Sequence, residues 1–295
     1  MAQIHPTAFV DAQSELAADV RIGPFCHVGP GVRLGRGCEL ISHVALLGPA
    51  QFGEHNVFYP QCTLGAAPQD LKYKGGDTRL VVGDHNIFRE SVTVHRGTEV
   101  DRQSGGVTRI GDHNLLMVGA HVAHDAHLGS HIILANAVLI AGHVRIEDCV
   151  NVGGATAMHH FVTVGRMAFI GGMTRITHDV PPFMKVIGYD QDVRGVNIHG
   201  MRRWQIPDAS VRAMKEAARI MYARRGGHSP LRTADALAEL ESGPLYEDAC
   251  VRYFCDFIRR KLAIGIYGRA REHFRTDSFA DRAAFYLAGS QGSDE

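Results

Sequence analysis

An apolar residue returns at every sixth position from residue 4 to residue 64, again from 82 to 94, and again from 110 to 176. Val10, Leu16, Ile22 and Val28 are early members, and Val164, Ile170 and Ile176 close the series; all 26 positions in this register are apolar. A six-residue period belongs neither to a helix nor to an ordinary alternating strand. Chance does not supply it in a chain that is 45% hydrophobic.

A second position repeats with the first. Four residues after the large apolar one stands a small or β-branched residue, as at Ala8, Val20, Cys26, Val44, Ala120, Val138 and Thr156. Glycine often follows the large residue directly, as at Gly23, Gly35, Gly83 and Gly111, where it reads as the turn-tolerant position. One large inward residue, one small inward residue and a turn describe one flat side of a triangular coil. Three hexads, about eighteen residues, close the coil, and stacked coils give parallel sheets around a column of aliphatic side chains. The predicted fold is a parallel β-helix. A sandwich of short strands would instead show alternation, with turns every 8–12 residues or so.

The register ends near Ile176, and Pro181 with Pro182 punctuates it. Beyond lies a helical pattern. Pro207 and Asp208 open a first helix, with Asp208 as its N-cap and an apolar stripe of Val211, Met214, Ala218 and Met221; Gly226 and Gly227 end it. Thr233 caps a second helix that runs through Leu240. A third is expected over 246–261, with Cys250, Phe254 and Phe257 at helical spacing. The predicted organisation is a β-helix over 1–180, a helical domain over 181–265 and an extension over 266–295.

Composition removes several function classes. The chain has 295 residues, with 31 basic against 31 acidic side chains, so no basic surface advertises nucleic acid. No apolar run is long enough for a membrane span, and the N-terminus has no signal-like region, so a cytoplasmic protein is expected. Six cysteines include no CxxC pair; Cys26, Cys38 and Cys62 fall in the small inward slot, which argues against a zinc or disulfide framework.

Two insertions break the repeat, at about 66–78 and 95–108, and long loops on a rigid scaffold commonly carry function. The chain also holds 18 histidines. With an eighteen-residue coil, His124, His143 and His159 or His160 gather near one edge, with His121 on the same coil as His124 and His95 opening the second loop. Outward, solvated histidines, a three-histidine zinc site and general acid–base chemistry are all consistent with the spacing. Asp125 can assist His124 only where a corner bends the chain, because neighbouring strand residues face opposite ways.

Seven stretches then carry a resemblance: QDLKY (69–73), RESVTVHRGT (89–98), GDHNLLMVGAHVAHDAHLG (111–129), ILANAVLIAGHV (133–144), MHHFVTVG (158–165), DVPPF (179–183) and GVNIHGMRR (195–203). Together they resemble the acyl-[acyl-carrier-protein]–UDP-N-acetylglucosamine O-acyltransferase family of lipid A biosynthesis, over roughly residues 1–265. The resemblance implies a left-handed coil and a homotrimer with sites in clefts between neighbouring subunits. It implies transfer of an (R)-3-hydroxyacyl chain from acyl carrier protein to the sugar 3-hydroxyl, with no metal and no other cofactor. His124 would be the general base, Asp125 its orienting partner and the Gly142 N–H the oxyanion donor. His121, His143 and His159 would hold the sugar and acyl chain, while Asp70, Lys72 and His95 would reach the donor or acceptor from the loops. Asn197 and Arg203 would hold the nucleotide, and Gly172 would limit acyl length, leaving room for a long chain beside the bulky Met173. Three positions depart from the family pattern: His160 stands where glutamine is usual, His199 where glutamate is usual, and Trp204 where a second arginine is usual. A 3-amino sugar acceptor and a zinc-dependent hydratase using His121, His143 and His159 are the alternatives. The acidic carrier protein would dock on basic residues among Arg202, Arg203, Arg212, Lys215 and Arg219.

Overall fold

In a computed structural model the chain coils as a left-handed parallel β-helix whose strands, mostly two residues long, stack into three parallel sheets of eleven, nine and eight strands. The structure describes residues 1–100, 104–222, 232–265, 268 and 271. Successive strands of the first sheet pair Gln3 with Arg21, Arg21 with Glu39 and Glu39 with Val57, one coil of eighteen residues each time. Val57 then pairs with Ile87, and Ile87 with Leu115, where the two insertions lengthen the coil.

The hexad register supplies the core. From Ile22 to Ile176 every large register residue is buried, and so is the small slot from Val20 onward. Ile4, Val10 and Leu16 line the open first coil, and Ile4 remains exposed. Phe52, Phe58 and Phe88 fill the middle, with Phe58 and Phe88 stacked at 5.1 Å.

The turns differ from the sequence expectation. The glycine directly after the large residue is not where the chain turns back on itself. At Gly23 a Cβ would stand 1.8 Å from the Ile41 carbonyl oxygen, so this glycine permits close approach of the next coil. The left-handed backbone falls two residues later and is mostly not glycine: His55, His85, His113, Asp125, His131, His143 and Phe161 all have φ between 55° and 63°. Such a conformation costs a non-glycine residue ~1 kcal/mol, which the stacked coils above and below impose.

The coil also continues past the proline pair. Val180 bridges to Val164, and 184–187 extends the first sheet beside Phe169 and Ile170 before an antiparallel strand over 192–196 closes it. Val186 belongs to the β-helix core, so that core extends beyond residue 180. Pro181 and Pro182 sit in a connection, where their missing N–H groups cost no ladder bond.

Four helices follow: α1 (Ile198–Arg203), α2 (Asp208–Tyr222), α3 (Thr233–Ser242) and α4 (Ala249–Ile264). The sequence pattern gave no sign of the short α1. Asp208 is the first residue of α2 rather than its cap, and its carboxylate pairs with Arg202 at 3.1 Å. Likewise Thr233 is the first residue of α3, and Arg232 precedes it as the cap. α4 starts at Ala249, not 246, because Asp248 accepts hydrogen bonds from the N–H groups of Cys250 and Val251 at 2.9 and 3.2 Å. Gly226 and Gly227 lie outside the described residues, as does most of the expected extension over 266–295. Val211, Met214, Phe254 and Phe257 form a second core that includes Met167 and Phe183 of the coil, so the helices pack directly on the β-helix. Among the described residues no helix is long and apolar enough to cross a membrane.

Candidate active site

Both insertions leave the coil at the corner between the second and third sheets, after strands Thr63–Ala66 and Thr93–His95. The next coils carry His124, His143 and Phe161 at that same corner. His121 pairs with Leu139, and Leu139 with Ala157, each eighteen residues on, so two columns run side by side. One is His124, Gly142, His160 and His178; the other is Asp125, His143, Phe161 and Asp179. The missing side chain at Gly142 makes room for a ring: a Cβ there would stand 2.5 Å from His124 Cε1.

The corner that the His124–Asp125 pairing requires is present. With φ at +58°, Asp125 turns its carboxylate back toward its neighbour, and Oδ2 lies 2.9 Å from His124 Nδ1. The carboxylate is held from all sides. Oδ1 accepts from Thr98 N–H at 2.9 Å and from the Ser104 hydroxyl at 2.6 Å; Oδ2 also accepts from the Thr98 hydroxyl at 2.6 Å. The Asp125 N–H donates to the Thr108 hydroxyl at 2.8 Å. Thr98, Ser104 and Thr108 come from the second insertion and its end, so the loop that interrupts the repeat builds the cradle of the acid. These hydroxyls are site residues that the sequence pattern did not single out. Their only signal is that they lie in or border the insertion preceding the His124 coil.

Burial pushes the Asp125 carboxyl up, but the bonds from His124, Ser104 and Thr98 outweigh it and hold the group below its ordinary range. It is therefore an anion at neutral pH, and His124 Nδ1 is the natural donor to it. Nε2 is then left with its lone pair. Asp70, from the first loop, has Oδ2 3.7 Å from Nε2, too far for a hydrogen bond.

Around this pair the histidines fall into different settings. His143 meets His124 edge-on at 5.0 Å and stacks on Phe161 at 4.4 Å. His95 meets His121 edge-on at 5.0 Å; burial, with His121 and His124 close by, pushes His95 down to about 4. Burial likewise lowers His121, whose Nδ1 lies 2.7 Å from the Thr93 hydroxyl. Both rings are thus neutral at pH 7, able to donate from one nitrogen and accept at the other. His159 and His160 lie against each other at 3.9 Å at the same corner, two coils beyond His124. Lys72 is a buried residue of the first loop, where Asp70 Oδ1 accepts the Lys72 N–H at 3.1 Å. The two loops are joined by Arg96, which donates to the Tyr73 hydroxyl at 3.0 Å.

The remaining candidates stand elsewhere. Gly172 lies at the corner between the first and second sheets, across the second sheet from His124, and Met173 beside it is 81% exposed. Exposed Leu139 lies on the outer face between those two corners. Asn197, His199, Arg203 and Trp204 line a cleft of about 170 Å³ with Asn151 and Phe169 of the first sheet. In one protomer the third sheet lies between that cleft and His124 on one side. Asn197 caps α1: its Oδ1 accepts from Gly200 N–H at 3.0 Å and its Nδ2 donates to the Met167 carbonyl at 2.9 Å. His199 and Arg203 are exposed at the mouth. Of the other basic candidates, Arg202 pairs with Asp208 and Arg219 with Glu216, while Arg212 and Lys215 are exposed on α2.

Trp204 has a partner of its own. It meets His131 edge-on at 4.9 Å, at the end of a column in which His55, His85, His113 and His131 stack at 4.8–4.9 Å. This second histidine ladder occupies the corner between the third and first sheets. Its sequence signal is the recurring Gly-acid-His-Asn at 53–56, 83–86 and 111–114, whose asparagines hydrogen-bond up the core.

A metal site here would share only His143 with the set that the hydratase alternative requires. Among the described residues, His124, Asp125 and His143 bring ligand atoms within 4.8 Å of one another; His121 and His159 are not in that group. Both Asp125 oxygens already accept from ring, hydroxyl or amide donors. The donor set fits a hydrogen-bonded His–Asp pair better than a three-histidine zinc site.

Residues 179–267 match the family model described as UDP-N-acetylglucosamine O-acyltransferase, domain 2. The chain is 42% identical over 252 residues, 85% of its own length and 95% of the relative's, to the acyl-[acyl-carrier-protein]–UDP-N-acetylglucosamine O-acyltransferase of Stutzerimonas stutzeri (strain A1501). It is also 42% identical to the enzyme of that name from Pseudomonas putida (strain W619), over 82% of this chain and 90% of that one. Among solved structures it is similar to the UDP-N-acetylglucosamine O-acyltransferase of Moraxella catarrhalis, at 37% identity and a TM-score of 0.80, over 87% of this chain and 96% of the other.

Proposed function

The chain belongs to the acyl-[acyl-carrier-protein]–UDP-N-acetylglucosamine O-acyltransferase family, and from that membership we infer how its own residues perform the transfer. It is an O-acyltransferase of the first step of lipid A biosynthesis, using acyl carrier protein as donor and UDP-N-acetylglucosamine as acceptor.

The single observation that carries the mechanism is the His124–Asp125 pair at the loop-lined corner. Asp125 accepts the Nδ1–H, fixes the tautomer and stabilises the imidazolium that forms; Nε2 takes the proton of the sugar 3-hydroxyl as its oxygen attacks the thioester carbonyl. The new C–O bond forms, a tetrahedral oxyanion develops, the C–S bond breaks, and His124 returns the proton to the leaving thiolate. No acyl-enzyme is needed. The Gly142 N–H, on the next coil beside the His124 ring, donates to no acceptor among the described residues and is the proposed oxyanion donor. Cysteine nucleophiles are disfavoured, because Cys62 is fully buried and burial pushes its thiol up to about 12.

Neutral His95 and His121, with Asp70 and Lys72, are proposed to hold the acceptor sugar, and His143, His159 and His160 the sugar and the (R)-3-hydroxyacyl chain. That chain would run across the second sheet, past Leu139, toward Gly172. His199 and Arg203 are proposed to receive the nucleotide, the guanidinium suiting diphosphate oxygens. Asn197 supports them by capping α1. Arg212 and Lys215 are the proposed docking points for the acidic carrier protein. A cytoplasmic setting is proposed, because charged carrier protein and nucleotide sugars are made there.

The distance between the nucleotide cleft and His124 within one protomer argues for a homotrimer whose sites are shared. The outer face of the first sheet supports this: Val57, Ile87, Leu115 and Ile133 stand in register, an apolar row suited to contact with another copy. Coexpressing His124→Ala with Arg203→Ala subunits tests it. Random assortment returns about a quarter of the wild-type sites if each site takes His124 from one subunit and Arg203 from its neighbour. Activity no higher than that of the parents means that one subunit supplies both.

A further inference from the structure

We propose that Arg271, beyond the stretch matched by the family domain, is a positioning residue of the acyl-transfer site; this rests on the reading of the site given above.

Arg271 is buried, with 3% exposure. Its guanidinium makes a fork to Asp179: Nη1 donates to Oδ1 at 2.8 Å, and Nη2 donates to Oδ2. Nη1 also donates to the Phe161 carbonyl at 2.8 Å, and Nε to the Gly265 carbonyl at 2.6 Å. Asp179 in turn accepts from the Thr163 N–H at 2.7 Å. A buried arginine with this many fixed acceptors locks the backbone that offers them.

The backbone it locks is the one the site depends on. Phe161 is a bulky residue with φ at +63°, a conformation that survives only when its surroundings impose it. Its carbonyl is held by Arg271. Its N–H donates to the Gly142 carbonyl at 3.3 Å, and its ring lies flat on His143, 7° from parallel. Gly142 carries the proposed oxyanion N–H, and His143 packs edge-on against the base. One residue therefore ties Arg271 to both sides of the reacting centre. A cavity of about 130 Å³ lies against the same groups and is lined by Asp125, His143, Phe161, Lys261 and Arg271. Gly268 fits the same corner closely: its N–H donates to the Thr177 carbonyl at 3.2 Å, and a Cβ there would stand 2.2 Å from the His160 carbonyl oxygen. The hydrogen bonds of Arg271 go to Phe161, Asp179 and Gly265 and not to His124, Asp125 or Gly142, so the arginine is assigned to act through Phe161.

Full-length Arg271→Met and Arg271→Lys proteins test this against wild type and His124→Ala. The expected result for Arg271→Met is a fall in kcat of about tenfold, the scale of a small misplacement of reacting groups. KM for UDP-N-acetylglucosamine should change less than about twofold, since no binding group is removed. Arg271→Lys, which keeps the charge but loses the fork, falls between the two. Wild-type kcat in both variants, a rise in kcat, or a loss confined to KM would overturn the proposal. If Arg271→Met does not fold, Arg271→Lys alone decides. A second readout needs no turnover: the ring resonances of His143, assigned with His143→Gln, should move in either Arg271 variant as Phe161 shifts over them. Resonances that stay in place sink the positioning role. A wild-type protein without acyl transfer would sink the reading of the site instead, and the His143 resonances would still decide the role of Arg271.

Discussion

Replacing His124 with alanine lowers kcat by ~10²-fold or more while the protein stays folded. The size follows from the role. The sugar hydroxyl is a poor nucleophile, and among the described residues the His124 ring lies closest to the ordered Asp125 carboxylate, at 2.9 Å against 3.9 Å for His143. Stability, by contrast, resides in the aliphatic columns of the coil, which His124 does not enter. After truncation Asp125 still accepts from Thr98 and Ser104, so no buried carboxylate is left without donors. Steady-state kcat together with the thermal midpoint checks this. Near-normal turnover in a folded variant would remove His124 from the role of base.

Asp125→Asn is expected to cost as much or more, between ~10²- and 10⁴-fold in kcat, the upper figure being that of the same exchange in a serine-protease triad. Four donors converge on the Asp125 carboxylate, and an amide has only one oxygen to offer them. With its NH₂ facing His124, the asparagine forces the proton onto Nε2 and abolishes the base. With its NH₂ facing Thr98 or Ser104, it sets donor against donor, at a cost of about 1–3 kcal/mol of stability. Either rotamer is harmful, and the balance between lost kcat and lowered thermal midpoint tells which is taken. The pH dependence has a definite sign. Because the folded-state carboxyl lies below its ordinary range, its contribution to stability is fully present above the usual carboxylate pKa and is lost as pH falls through the lower folded value. Asp125→Asn removes that part of the acid sensitivity, so the stability gap between variant and wild type narrows in acid. A gap that stays constant into acid would contradict the charged, hydrogen-bonded carboxylate.

Much of this molecule is legible from one sequence because the repeat is strictly periodic. A residue such as Val122 or Ile140 must be apolar wherever a flat coil side faces the core, so a six-residue register specifies strand, burial and stacking together. The same arithmetic brings His124, His143 and His160 to one corner. What it does not reveal is which column each occupies. His143 stands over Asp125, not over His124, because the gap at Gly142 belongs to the His124 column. The turn position is also misread from sequence: glycine at the position after the large residue signals close approach between coils, whereas the left-handed residues range from histidines and Asp125, which tolerate that conformation, to Ala137, Cys149, Met167 and Phe161, so no one residue type marks the turn. Thr98 and Ser104 are hidden because an inserted loop follows no period. Arg271 is hidden because its partners Phe161 and Asp179 are far away in the chain and carry no pattern that points to it. Of the eighteen histidines, His55, His85, His113 and His131 stack in a separate corner ladder, away from the proposed base His124, and the Gly-acid-His-Asn motif marks the first three.

The measurement that bears most directly on the account is the mass of the product formed when purified protein meets UDP-N-acetylglucosamine and (R)-3-hydroxyacyl carrier proteins of graded length. The expected product carries one acyl group on the nucleotide sugar through an alkali-labile ester, formed by wild type and reduced at least ~10²-fold in His124→Ala. The longer chains are expected to be preferred, since the side-chain-free Gly172 corner admits them. A product formed only with the 3-amino sugar, as an alkali-stable amide, would contradict oxygen as the acceptor, and undiminished ester formation by His124→Ala would contradict the base.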